Sequence, residues 1–253
     1  MKRDDTPPTK EKMNTKTSFN LRLALLTMTL CLGATSSQAT VILSDSFSGT
    51  AGAAPNTSNW TTSGGGITLS GSNSVDLNNP GVQVLTALPA YQYVPGAPDT
   101  AIFTFSINSF NTNVQVGLAN SGFVNSIQIR NDLGGGTWQV YITGTSSNAY
   151  DMGIASASGV GSWEIDWTLA KVTVLHNSST VFDSSINGPS WSIPTMAIAP
   201  FAAVYSGGSG IGLEMGPVSW SAVPEPSTVA LAFVGLGIAV FAKRRRNAAA
   251  TKV

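Results

Sequence analysis

The stretch WEIDWTLAKVTVLHNSSTVFDS, Trp163 to Ser184, decides the fold. Its large apolar residues stand at Trp163, Ile165, Trp167 and Leu169, with Glu164, Asp166 and Thr168 between them. Side chains of an extended chain point alternately to opposite faces, so this period of two describes a strand with one face buried. Lys171 to Leu175 (KVTVL) repeats the alternation, and Thr180 to Phe182 opens a third run. Between them lies Asn177-Ser178-Ser179, a set of turn-forming residues, with His176 at the strand-to-turn junction. Short alternating runs joined by tight turns are antiparallel strands.

The same pattern extends in both directions. Ala101 to Ile107 (AIFTFSI), Val114 to Leu118, Ser126 to Arg130 and Trp138 to Thr143 precede it, and Met196 to Tyr205 and Ile211 to Trp220 follow it. Gly64-Gly65-Gly66, Asn78 to Gly81, Pro95 to Asp99, Gly134-Gly135-Gly136, Asn187 to Pro189 and Gly207 to Gly210 punctuate the runs. No helical periodicity survives between Val41 and Trp220. About a dozen short strands at such spacing predict an all-β, antiparallel sandwich or barrel, with Trp60, Trp163 and Trp167 in its core. No fixed-period repeat is present, which disfavours a propeller or solenoid. One domain of roughly 180 residues is ordinary for a sandwich.

Charge is segregated. Six basic residues precede the first apolar run and five follow the last, and between them stand only Arg130 and Lys171 against nine carboxylates, net −7 with the single His176 neutral. An acidic domain repels phosphate backbones, so nucleic acid is excluded as a partner. The one cysteine, Cys31, lies within the first apolar run. If that run is removed, the mature protein has no disulfide, no thiol chemistry and no cysteine metal site. Leu30 is too bulky to precede a lipid-modified cysteine, so lipoprotein acylation at Cys31 is not expected.

The N-terminus has the three parts of a secretory signal: Lys16 and Arg22, then the apolar LRLALLTMTLCLG of Leu21 to Gly33, then Ser37-Gln38-Ala39 with small residues at −3 and −1. Cleavage is expected between Ala39 and Thr40, by a signal peptidase. The leader is long, and Met13 is an alternative start to Met1. At the other end, VPEPSTVALAFVGLGIAVFAKRRRN runs from Val223 to Asn247. Pro224-Glu225-Pro226 is followed by the uncharged stretch 227–242, ~24 Å as a helix at 1.5 Å per residue, short against a ~30 Å hydrocarbon core. Lys243, Arg244, Arg245 and Arg246 close it, and a basic cluster marks the cytoplasmic side.

A Pro-Glu-Pro, a short apolar helix and an Arg-rich end resemble the PEP-CTERM sorting signal. That resemblance implies handling by an exosortase, a membrane cysteine protease of Gram-negative bacteria that also make exopolysaccharide. It implies a transient inner-membrane anchor through 227–242, recognised at Pro224, Glu225 and Pro226 and then cut. Two prolines suit this, since they hold the peptide extended and outside the helix. The middle resembles concanavalin-like jelly rolls, in DSFSGT…NTSNWTTSGGGITLSGS (Asp45 to Ser72), in Trp163 to Ser184, and in GIGLEMGPVSW (Gly210 to Trp220), which is similar to a last strand returning beside the first. The resemblance implies a concanavalin or laminin-G-like sandwich.

Within it, Glu164-Ile165-Asp166 is similar to the Glu-x-Asp-x-(x)-Glu of laminarinase-type jelly-roll glycosidases, whose carboxylates share one strand face and act as nucleophile and acid ~5.5 Å apart. Here Thr168 and Leu169 occupy the places of the final Glu. The mechanism lacks one of its two essential carboxylates, and a solvated strand face is the plainer expectation. His176 has no Gly-x-Ser-x-Gly elbow to serve and too few companions for zinc, so an exposed turn histidine is expected. Gly134-Gly135-Gly136 precedes a strand and is a hairpin loop, not a phosphate cradle. No cofactor is expected, and no metal beyond a candidate structural Ca²⁺ on the loop oxygens of Asp45, Asn78, Asn79, Asp132 and Asp151. Exposed Trp or Tyr side chains are candidates for stacking on sugars.

The chain thus divides into a signal peptide (1–39), an extracellular β-sandwich (40–221), a sorting signal (222–247) and a cytoplasmic tail (248–253). It reads as an exported, non-enzymatic protein, reaching the cell surface or extracellular matrix through a membrane-anchored intermediate, with extracellular polysaccharide or biofilm as its setting. A carbohydrate-binding, lectin-like module and a divergent jelly-roll glycosidase are the alternatives.

Overall fold

The computed structural model describes residues 38–79, 81–96, 99–111, 113–131, 136–205 and 210–224, all within one compact unit, Gln38–Glu225. The expected signal helix and the expected apolar helix of 227–242 lie outside the described residues. Among the described residues no helix is long and apolar enough to cross a membrane.

Among the described residues sixteen strands run in chain order: β1 (Thr40–Asp45), β2 (Trp60–Ser63), β3 (Ile67–Leu69), β4 (Val75–Asn79), β5 (Gln83–Ala87), β6 (Thr100–Phe110), β7 (Val114–Ala119) and β8 (Ser126–Asn131). Then come β9 (Thr137–Thr143), β10 (Ser147–Ala155), β11 (Gly161–Trp167), β12 (Val172–His176), β13 (Ser179–Asp183), β14 (Ala199–Val204), β15 (Gly210–Met215) and β16 (Val218–Val223). They form two antiparallel sheets. The first follows the order β13-β12-β11-β6-β15-β4-β3, with β16 held between β6 and β1. The second follows β10-β9-β8-β7-β14-β5-β2. This is a jelly-roll-like sandwich, with β16 returning beside β1 as the concanavalin-like resemblance implied.

The period-two reading holds where it was sharpest. Trp163, Ile165 and Trp167 on β11 are buried between the sheets, and Val172 and Val174 on β12 face the same way. Trp60 joins them, as do Trp138 and Trp220, which the sequence did not single out. Each fully buried large apolar side chain contributes ~1.5–3 kcal/mol. Trp138 lies 5.4 Å from Trp163 between ring centroids, and Trp167 stacks on Trp220 at 6.5 Å.

Several expectations need correcting. Leu169 does not extend the apolar face of β11, because that strand ends at Trp167 and Leu169 sits exposed in the turn to β12. The run Ile211 to Trp220 is two strands, β15 and β16, broken at Gly216-Pro217. Strand β10 was not anticipated: it lies at a sheet edge, and its alternating Tyr150, Met152 and Ile154 are only half-buried against the core, with small or polar residues between them, so its hydrophobic signal is weak. A single helical turn, α1 (Ser184–Asn187), follows β13, with Asp183 capping it by accepting from the Ser185 amide at 2.9 Å.

Register puts four strand ends together. Thr40 opens β1 opposite Ala222 on β16, Ala222 faces Ala101 on β6, Val223 faces Thr100, and Trp167 closes β11 opposite Ala101. We call this end of the sandwich the tail pole, since β16 leaves the domain there.

Candidate functional site

Alternation that buries Trp163, Ile165 and Trp167 sends Glu164 and Asp166 to the outer face of the first sheet. There Glu164 stands between Thr104 on β6 and Leu175 on β12, and Asp166 between Ile102 and Thr173. The face is not simply solvated at Asp166. Its Oδ1 is buried without a hydrogen-bond partner, and its carboxyl is pushed up to about 6, first by burial and then by the neighbouring Glu164 charge, with Lys171 opposing. Lys171 is itself engaged 3.1 Å from Asp183.

Thr168 and Leu169, which stand at the two places for the glycosidase motif's last carboxylate, both lie past the end of β11, Leu169 exposed and Thr168 committed to the β11–β12 turn. Its Oγ1 accepts from the Lys171 amide at 3.0 Å and donates to the Lys171 carbonyl at 3.2 Å. The motif therefore supplies two carboxylates and no third.

Beside Glu164 lies a cleft of about 410 Å³, bordered by Thr104, Ser106, Ser162, Ser178 and Pro217. Phe105, Trp163 and Leu175 complete its lining, so it presents hydroxyls and one carboxylate on a partly apolar wall rather than an array of general acids and bases. His176 lies close to it. It is half-buried, not exposed as expected: its ring packs 4.2 Å from that of Trp163, and β12 ends on it. The turn that follows, Asn177-Ser178, has both residues at positive φ (49° and 65°), the geometry that joins twisted strands with two residues.

A second acidic pair on this face escaped the sequence reading. Asp76 on β4 and Glu214 on β15 are directly opposite in register. Glu214 Oε1 accepts from Ser74 Oγ at 2.7 Å and Asn108 Nδ2 at 3.3 Å, and its Oε2 accepts from Ser109 Oγ at 3.3 Å. Asp76 is buried, with Oδ1 unpartnered, and burial followed by the Glu214 charge raises its carboxyl. Glu214 faces Ser109 on β6 while Glu164 faces Thr104, a separation of ~17 Å along the strand at ~3.4 Å per residue. That is too far for the two pairs to act on one glycosidic bond, which needs carboxyls within ~5–9.5 Å.

The loop oxygens expected to suit Ca²⁺ have other partners. Asp45 accepts from the Phe47 amide at 2.8 Å, Asn59 Nδ2 at 3.0 Å and Trp60 Nε1 at 2.8 Å, fixing β1 to the entry of β2. Asp151 accepts from Thr137 Oγ1 and the Gly153 amide. Asn78 donates to Thr68 Oγ1 and its carbonyl accepts from Gln83 Nε2. Asp132 and the Asn79 side chain lie outside the described residues. Among the described residues no three His, Cys, Asp or Glu side chains are grouped to hold a metal. Nor is an exposed tryptophan available for sugar stacking: five of the six are buried and Trp191 is half-buried against Phe182.

The carboxyl end of β16 runs directly into Pro224-Glu225-Pro226. Residues 222–246 match the PEP-CTERM protein-sorting motif. The motif thus begins on the last two residues of a strand bonded on both sides. A PEP-CTERM signal directs export through a membrane-anchored sorting intermediate and processing by an exosortase. The residues expected to carry it, Pro224, Glu225, Pro226 and Lys243 to Arg246, all fall within the match.

Among solved structures, the chain is similar to a glycosyl hydrolase family protein from Mycobacterium fortuitum, at 15% identity and TM-score 0.52 over 72% of this chain and 99% of that one. It is similar to the Emp47p carbohydrate recognition domain, at 12% identity and TM-score 0.51 over 74% and 97%. An uncharacterised protein from Mycobacterium paratuberculosis aligns at 18% identity and TM-score 0.50 over 72% and 99%. At these identities the likeness establishes the fold alone. No curated protein sequence matches the chain.

Proposed function

We propose that this chain is a non-enzymatic jelly-roll domain, freed of a signal peptide between Ala39 and Thr40, anchored briefly in the inner membrane by 227–242, and released by an exosortase acting at Pro224-Glu225-Pro226. It then resides at the cell surface or in the extracellular matrix of a Gram-negative bacterium, in company with exopolysaccharide and biofilm. The observation that carries the sorting is the PEP-CTERM match at 222–246. The observation that supports the absence of catalysis is that Thr168, tied into a turn, and Leu169 are both neutral where the glycosidase motif needs a carboxylate.

The test is the intact mass of the mature protein from its host, with and without the exosortase. A mass that starts at Thr40 and ends within Pro224 to Pro226 only when the enzyme is present supports the reading. A mass retaining Lys243 to Val253 in both strains refutes it, leaving a plain membrane anchor.

Carbohydrate binding is the second reading. The cleft beside Glu164 favours it, since its Ser and Thr hydroxyls and one carboxylate, set on a partly apolar wall, are groups that can hydrogen-bond sugar hydroxyls. A glycan array probed with the exported protein tests it: binding lost on Glu164→Gln supports a lectin, and an array without hits removes it. Hydrolysis of β-glucans abolished by the same substitution is the outcome that restores the glycosidase.

A further inference from the structure

The apolar side chains that the sandwich leaves in solvent are not scattered. Among the described residues, eight large hydrophobic side chains are exposed. Six of them lie at the tail pole. Val41 is the second residue of β1, paired with Ser221. Val94 follows Tyr93, whose backbone bonds Ile198 just before β14. Val124 lies between β7 and β8, in the loop that begins after Ala119, and Met196 adjoins it through the Asn125 Nδ2 contact to its sulfur at 3.2 Å. Leu169 tips the β11–β12 turn, and Ile186 stands on α1. Ile186, Val124 and Val41 are 75%, 64% and 61% exposed. Val82 and Val160, the other two, are at the opposite end, where β5 and β11 begin.

Chain length says what this end meets. Val223 is still in register with Thr100, and the uncharged stretch begins at Ser227, four residues on. Four residues span at most ~14 Å fully extended. The headgroup layer occupies ~5–8 Å of that distance. A sandwich tethered so closely has no room to float above the bilayer. The N-terminal processing site is held at the same end, because Thr40 pairs with Ala222.

We propose that the tail pole is a lipid-contact surface: in the anchored intermediate, Leu169, Ile186, Val41, Val94, Val124 and Met196 rest in the outer interfacial layer of the inner membrane. This rests on the reading of 227–242 as a transient anchor. The contact is apolar rather than electrostatic. The only cation described in this region, Lys171, is paired with Asp183, and Asp99 accepts from Tyr93 Oη at 3.3 Å, so the pole offers no basic patch to anionic lipid. Shallow burial of apolar side chains at the headgroup boundary needs none. The pole turns the cleft outward, since Ser106 and Ser162, which border it, pair near the start of β11 at the far end. Once the tail is cut, the contact is reversible, because a handful of exposed side chains does not equal a spanning helix.

The experiment uses the full chain with its tail, reconstituted into vesicles of phosphatidylethanolamine with a minor phosphatidylglycerol fraction. In a Cys31→Ser background, Leu169→Cys, Ile186→Cys and Val160→Cys are each labelled with nitrobenzoxadiazole. The expected result is a blue shift and loss of emission to nitroxide-bearing lipids at positions 169 and 186, with the probe at 160 unchanged from buffer. Vesicles that float with the chain while all three probes report water overturn the proposal and leave the anchor reading standing. A chain that does not float with vesicles overturns the anchor reading, and this proposal with it. Self-crosslinking of the unlabelled Leu169→Cys chain, with no lipid quenching of its labelled form, also overturns it, assigning the pole to a second copy of the chain.

Discussion

Replacing Asp166 with asparagine should stabilise the domain at neutral pH and do nothing in acid. Asp166 sits on β11 with Oδ1 buried and unpartnered, and its carboxyl is pushed up from 3.8 to about 6, mainly by burial and then by Glu164. The folded state therefore holds this proton more tightly than the unfolded chain does. Below pH 3.8 both states are protonated and no penalty exists. As pH rises through the window from 3.8 to about 6 the unfolded chain ionises first, so folding stability falls, and above about 6 the loss is complete. At 1.36 kcal/mol per tenfold change the full loss is ~3 kcal/mol. Water reaches part of the side chain and the neighbouring charges relax, which reduces the expectation to ~1–2 kcal/mol. The substituted amide carries no charge to desolvate. Urea denaturation from about pH 3.5 to 8 measures the effect. With a slope of ~2 kcal/mol/M, Asp166→Asn should raise the midpoint by ~0.5–1 M at about pH 7, with the gap closing below about pH 4. A variant no more stable than the parent at neutral pH, or a gap that ignores pH, refutes the argument that Asp166 is ionised against its surroundings.

Other substitutions probe the remaining framework. Asp45→Ala removes the acceptor of three hydrogen bonds, including Trp60 Nε1, and should lower stability by ~1–3 kcal/mol in thermal or chemical unfolding. Gly159→Ala should be worse tolerated than an ordinary loop substitution, because its Cβ would stand 1.9 Å from Nε1 of the buried Trp138; calorimetry should show a marked fall in Tm and near-ultraviolet dichroism a disturbed indole. Lys171→Ala breaks the ion pair to Asp183, but its side chain is 46% exposed, so the change should stay within ~0.5 kcal/mol by the same unfolding assay. Glu214→Gln removes the charge opposite Asp76, and the acid limb of the stability profile should shift as Asp76 returns toward its ordinary range, which carboxyl NMR titration reads directly.

The parts of this protein legible in its sequence are those that follow from local chemistry. Trp163-Glu164-Ile165-Asp166-Trp167 states its own strand and its own inner face, because side-chain direction alternates whatever the strand pairs with. The PEP-CTERM tail is equally local, a sequence signal of proline, apolar and basic residues that 222–246 carries without reference to the fold. Loop chemistry was legible at Asn177-Ser178 for the same reason.

Pairing was not. Ser74 donates to Glu214 across 140 residues, so the second acidic pair exists only through the register of β4 on β15. Whether Asp166 is solvated depended on what packs beside it, and β10 gave only the weak alternation of Tyr150, Met152 and Ile154 because an edge strand buries its apolar side chains only in part. The tail pole belongs to the same class. Val41, Val94, Val124, Leu169, Ile186 and Met196 come from six separate segments, and the chain itself gives no sign that they meet at one end; Leu169 and Met196 read instead as parts of strands. The sequence alone determined the strand period, the acidic domain and the sorting tail, since these depend on neighbours along the chain. Only the tertiary structure decided which carboxylates face one another and that Thr40, Val223 and most of the exposed apolar side chains share one end, since strand register is set by packing between residues far apart in the chain.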